Sequence, residues 1–162
     1  MSSPWTSEQQ RFMEEAVRLA ERNVVSGNGG PFGAVIVKDG RIVATGVNEV
    51  TKRGDPTAHA EVQAIREACR ELGTFQLTDC ELYTSCEPCP MCIGAIYWAR
   101  PKAVYFAGTK DEAAEIAFDD RFIYEELERP MTERRLPMMR IAPVGYKAPF
   151  EAWAASTGKV EY

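Results

Sequence analysis

Between Ser7 and about Val25 apolar residues recur at helical spacing. Phe12, Ala16, Leu19 and Ala20 share one face, Ser7 with Gln10 offers a capping box, and Gly27 supplies a stop. The period then changes. After the tight loop Gly29-Gly30-Pro31-Phe32-Gly33, residues 34–38 and 41–46 read as strands joined by Asp39-Gly40, a strong hairpin signal. Helical spacing returns over 57–72, with Thr57 as candidate N-cap and Gly73 behind the last turn. Residues 80–85 read as a strand, 90–99 as a helix and 103–107 as a strand. The stretch 108–135 is mostly helical in pattern. Residues 138–144 read as a last strand, weakened by Pro137 and Pro143, and 149–155 as a final helix. Strands alternating with helices imply βαβ units, hence an α/β fold, here a three-layer α/β/α sandwich around a mixed sheet.

Composition narrows the class. A chain of 162 residues, 45% hydrophobic and 27% charged, is expected to be one soluble globular domain over 1–162. No apolar run approaches the ~20 residues of a membrane helix, and the first residues lack the basic and apolar segments of an export signal. Five cysteines are an odd number, and Cys86, Cys89 and Cys92 crowd together, which suits metal binding in a reducing cytoplasm better than a disulfide framework. The net charge is −5, and Asp111 to Arg135 alone holds nine acidic and four basic residues. Such a surface repels phosphate backbones, so a nucleic-acid or membrane partner is not expected, and a small uncharged or cationic substrate is.

Chemistry concentrates in two short motifs. His59, the single histidine, stands two residues before Glu61; thirty positions on comes Pro88-Cys89-Pro90-Met91-Cys92. Imidazole and thiolate are preferred zinc ligands, and three of them leave a fourth position for water, as catalytic sites do. Both halves fall at predicted helix starts, where free N–H groups and the helix dipole stabilise thiolates. Glu61 would serve beside the metal as general acid and base. A rival arrangement adds Cys86 to give a closed Cys₃His structural site, and with it a zinc-binding module instead of an enzyme. Against it, Cys86 lies in the extended segment before the helix, and a closed site has no use for Glu61. Cys69 and Cys80 read as small core residues. Asn48, at the end of the second strand, is either a turn residue or an amide whose donor and acceptor suit a nucleobase edge.

The runs Gly29-Gly30-Pro31-Phe32-Gly33-Ala34-Val35-Ile36-Val37, Asp55-Pro56-Thr57-Ala58-His59-Ala60-Glu61 and Tyr83-Thr84-Ser85-Cys86-Glu87-Pro88-Cys89-Pro90-Met91-Cys92 resemble the cytidine deaminase superfamily. The H-x-E…P-C-x-x-C pattern is the signature of its zinc deaminases. Within it, Ile96-Tyr97-Trp98-Ala99-Arg100-Pro101, Phe118-Asp119-Asp120-Arg121-Phe122-Ile123-Tyr124 and the terminal Glu161-Tyr162 resemble the small bacterial guanine deaminases.

That resemblance implies a five-stranded sheet and hydrolysis of guanine to xanthine and ammonia, with one zinc per subunit on His59, Cys89 and Cys92. Glu61 would shuttle protons. Asn48 and the Ala60 backbone would hold the purine, with Phe32 against its ring. Asp120 would be a catalytic and substrate-binding carboxylate, and Tyr162 would complete the pocket. Residues 145–162 would cross to a partner subunit, giving a domain-swapped homodimer. Guanine's N1–H and N2–H₂ donors match a carboxylate such as Asp120. The alternative enzymes are a tRNA adenosine deaminase, which shares the zinc motif but needs a basic groove for a flipped base, and a cytosine or nucleoside deaminase.

Overall fold

The computed structural model describes residues 4–162. Two compact units divide at Asp120/Arg121.

The first unit opens with helix α1 (Ser7–Val25), and the hairpin of strands β1 (Gly33–Lys38) and β2 (Arg41–Val47) follows. Asp39 and Gly40 both take positive φ, 50° and 70°, as a tight hairpin turn requires. A short helix α2 (Val50–Arg53) precedes α3 (Ala60–Leu72). Then come β3 (Cys80–Cys86), α4 (Pro90–Ala99), β4 (Ala103–Gly108) and α5 (Lys110–Glu115). The α1 cap lies one residue earlier than expected: the Thr6 hydroxyl accepts from the Gln9 N–H, and the Gln9 side chain accepts from Thr6 N–H.

The sheet is mixed, in the order β2-β1-β3-β4. It has four strands, not five. Residues 138–144 carry no strand: Pro137 and Pro143 remove ladder donors, and Ile141 and Val144 stand exposed instead of alternating against a core. β1 is antiparallel to both β2 and β3, while β3 and β4 run parallel. The carboxyl ends of β2, β3 and β4 therefore emerge at one edge of the sheet. Segments leaving that edge hold Asn48, Glu87 and Thr109, and ligand sites of α/β sheets form at such an edge.

β1 is buried on both faces, as a central strand should be. Val35 and Val37 pack with Phe12 of α1 and Tyr83 of β3 on one side. Ala34 and Ile36 point the other way, into a core shared with Ala60, Ala64 and Ala68 of α3, Leu82, and Ile96 and Ala99 of α4. These three layers are the expected sandwich. α3 packs very close to β2: a Cβ on Gly46 would sit 2.2 Å from the Ala60 carbonyl oxygen and 2.5 Å from the Ala64 nitrogen. The alanine face of α3 and the glycine in β2 thus fix how deep the helix start lies.

The second unit contains α6 (Arg121–Glu128), a 3₁₀ turn (Met131–Glu133) and α7 (Ala148–Ala155). Within it Glu126 accepts from the Arg135 N–H at 2.7 Å and pairs with Arg129 at 3.5 Å. The Arg140 guanidinium lies 5.0 Å from the Tyr146 ring centre. No helix of the described residues is long and apolar enough to cross a membrane.

Candidate active site

Two helix starts meet at the strand edge. His59 is the N-cap residue of α3, with extended backbone (φ −73°, ψ 155°), and Cys89 is the N-cap residue of α4 (φ −68°, ψ 167°). Helix α3 begins at Ala60 and not at Thr57, because Thr57 is engaged elsewhere: its N–H and hydroxyl both donate to Asp55 Oδ1, at 2.8 and 2.7 Å. This turn delivers His59 to the helix start. Pro90, at the first helical position of α4, has no N–H to satisfy and pre-sets the helical φ, so Cys92 falls within the first turn.

His59 Nδ1 lies 3.5 Å from each of Cys89 Sγ and Cys92 Sγ. Among the described residues, these are the three metal-type donors that converge, all within 4.8 Å of one another. Their chemistry fits zinc. The Cys89 thiol is drawn down to about 4, by its hydrogen bond with Cys92 and, against burial, by that with His59. The Cys92 thiol is pushed the other way by the same bond with Cys89 and by burial. A divalent cation would supply the positive charge that stabilises both as thiolates. His59 meets both sulfurs through Nδ1.

Glu61 is only 6% exposed. Its Oε1 accepts from the Thr84 hydroxyl at 3.1 Å, and its Oε2 lies 3.4 Å from Cys92 Sγ. Burial pushes its carboxyl above the usual carboxylate range. Cys86 is not among the converging donors: its Sγ faces the Thr109 carbonyl oxygen at 3.7 Å, and burial raises its thiol to about 11. The closed four-ligand arrangement is absent from the described residues.

Asn48 is buried just past β2, and Ala60, fully buried, is the first residue of α3, where helical N–H groups have no intrahelical acceptor. The Phe32 ring packs edge-on against Phe118, 4.9 Å between centres at 89°. Asp120 is half-buried; burial and the nearby Cys89 charge raise its carboxyl. Tyr162 belongs to the second unit and is 70% exposed.

Two buried polar residues escaped the reading of the chain. Thr84 lies in β3 beneath Glu61, and Asn23 lies on the buried face of α1 with Phe12, Ala16 and Ala20. A polar residue inside an apolar stripe was the available signal, since such groups are buried only with partners.

Comparison with known proteins places this site in a family. The model of the cytidine and deoxycytidylate deaminase zinc-binding region matches residues 6–108. A guanine deaminase of Bacillus subtilis is 58% identical over 151 residues, 93% of this chain and 97% of that protein. An X-ray structure of guanine deaminase from Bacillus subtilis superposes with a TM-score of 0.92 at 57% identity, covering 94% of this chain and 98% of the other. A tRNA-specific adenosine deaminase of Aquifex aeolicus is 47% identical over 96 residues, 59% of this chain and 63% of that protein.

Proposed function

The chain belongs to the cytidine and deoxycytidylate deaminase family, and from that premise we propose that it is a zinc-dependent guanine deaminase, converting guanine and water to xanthine and ammonia. The observation that carries the substrate is extent. Similarity to the Bacillus subtilis guanine deaminase runs over 93% of the chain at 58% identity, whereas tRNA-specific adenosine deaminases match 59% of it at 47% identity or 72–73% at 38–39%. Production of xanthine and ammonia from guanine by the zinc-loaded protein tests it.

His59, Cys89 and Cys92 hold one zinc ion. The metal supplies Lewis acidity, lowering the pKa of water to about 7. Glu61 takes one proton from the attacking water and delivers it to the ring nitrogen beside C2, then takes the second from the new C2 hydroxyl and delivers it to the departing amine as the C2 carbonyl forms. The bond to the incoming oxygen forms at C2, the C2–amine bond breaks, and ammonia leaves. A carboxyl whose burial favours its protonated form suits a group that must hold and release a proton in turn. Thr84 fixes one oxygen of that carboxyl, leaving its rotation little freedom.

The purine is held by complementary edges. Asn48 Oδ1 accepts from the Gly30 and Val50 N–H groups, each at 3.4 Å, so the amide turns its NH₂ end the other way. That end is a donor for guanine's O6 and N7 acceptors. Asp120 accepts from N1–H and N2–H₂ and steadies the reacting amidine, the Ala60 N–H adds a donor, and the Phe32 ring lies against the purine plane. Tyr162 completes the pocket.

The protein acts as a domain-swapped homodimer in which residues 145–162 of one copy serve the other. Supporting this, the second unit exposes Ile141, Phe150 and Trp153. Within the first unit, an apolar groove of about 420 Å³ is lined by Trp5, Met13, Tyr83, Val104, Tyr105 and Phe106. Five free cysteines suit a cytoplasmic location.

A further inference from the structure

We infer that Asn23, outside the purine pocket, is a positioning residue for substrate binding: its side-chain amide clamps together the two segments that carry Phe32 and Asn48. The inference rests on the reading of Asn48 as a purine contact.

Asn23 stands in the last turns of α1 and is 3% exposed. One carboxamide can donate twice and accept, and all three functions are used here. Its Nδ2 donates to the Gly30 carbonyl oxygen and to the Asn48 carbonyl oxygen, both at 2.8 Å, and its Oδ1 accepts from Asn28 Nδ2 at 2.6 Å. The two carbonyls lie on different segments, the loop before β1 and the residue after β2.

These segments are tied at two further points. The Asn48 N–H donates to the Phe32 carbonyl oxygen at 3.1 Å, and the Gly30 N–H reaches Asn48 Oδ1 at 3.4 Å. The Gly30 contact is long, so the orientation of the Asn48 amide depends on how firmly the loop is seated. Asn23 supplies the two short bonds that seat it. The packing leaves no slack: a Cβ on Gly29 would lie 2.1 Å from the Asn48 carbonyl oxygen and 3.2 Å from Asn23 Nδ2.

A group that only holds the fold and one that sets a binding contact differ in their kinetics. A contact made equally in the ground and transition states raises KM when weakened and spares kcat. Loss of folded protein lowers apparent kcat and leaves KM of the remaining enzyme unchanged. Asn23→Asp keeps the shape and the acceptor for Asn28 but removes the NH₂ donor from between two carbonyls. In the zinc-loaded full chain it should raise the KM for guanine about tenfold, the loss of one to two hydrogen bonds, and change kcat less than about threefold. Asn23→Ser, small enough to admit a bridging water, should give an intermediate KM and serves in its place if Asn23→Asp does not fold.

Coupling gives the second readout. On an Asn48→Ala background, the Asn23 substitution should raise KM clearly less than it does alone, because the Asn48 amide whose orientation it sets is gone and only its hold on the Phe32 loop remains. An unchanged KM in the Asn23 variants, with Asn48→Ala raising it, overturns the positioning role alone. So do multiplicative effects in the double variant. An unchanged KM in Asn48→Ala overturns the purine-contact reading beneath it.

Discussion

The Thr84 hydroxyl donates to Glu61 Oε1 across 3.1 Å, joining the middle of the sheet to the carboxylate beside the three zinc ligands. Both residues are buried, so neither partner has water as a substitute. Thr84→Val keeps the branched shape and removes the donor. It should lower kcat by about tenfold with zinc content unchanged, and Thr84→Ser should restore most of the rate. Steady-state kinetics with metal analysis of each variant check this.

Glu61→Gln separates proton transfer from metal binding. The amide fits the same space and Glu61 is not one of the three converging donors, so zinc should remain at one per chain. Turnover should fall by about 10²- to 10⁴-fold, the usual contribution of a positioned acid–base group. Elemental analysis beside the rate measurement reads both numbers, and a Gln variant of near-normal activity would remove Glu61 from the proton path.

Cys86→Ser should retain the metal, whereas Cys89→Ser and Cys92→Ser should lose it. The Cys86 sulfur faces the Thr109 carbonyl, outside the triad around His59 Nδ1. Zinc titration with a chromogenic chelator checks this; loss of metal from the Cys86 variant would bring back the closed four-ligand site.

Gly46→Ala tests the geometry beneath the site. The new methyl would meet the Ala60 carbonyl oxygen at 2.2 Å and the Ala64 nitrogen at 2.5 Å, both backbone atoms that cannot turn aside. Relief requires α3 to move away from β2, taking His59 with it. Urea unfolding should show a loss of about 1–3 kcal/mol or more, together with weaker zinc retention.

Much of this was legible along the chain, for physical reasons. The hairpin and the helix Pro90–Ala99 stand where expected because Asp39-Gly40 and Pro90 constrain φ locally, without help from distant residues. The start of α3 was less legible: Thr57 has the right chemistry for a cap, but Asp55 captures its hydroxyl, and His59 occupies the cap position. At α1, Thr6-Gln9 and Ser7-Gln10 both satisfy the capping-box spacing, and only the backbone decides for the first. The apolar content of 138–144 suggested a strand, yet a strand also needs a neighbour and donors, and Pro137 and Pro143 interrupt the latter. His59, Cys89 and Cys92 were readable because metal ligands announce themselves by type and spacing. Thr84 and Asn23 act through contacts 23 and 25 residues away in the chain, which no local pattern encodes.

Deleting Glu161 and Tyr162 should cripple guanine turnover while leaving zinc in place, if the terminal tyrosine completes the pocket. Full activity of the shortened chain, measured at equal metal content, would take the tail out of the site.

The most direct test of the whole account is ammonia release by the zinc-loaded protein, offered guanine, guanosine, adenine, cytosine, cytidine and tRNA in parallel. The account predicts release from guanine in one-to-one step with xanthine, and faster than from any other compound of the set. No ammonia from guanine, or faster deamination of tRNA, would contradict it.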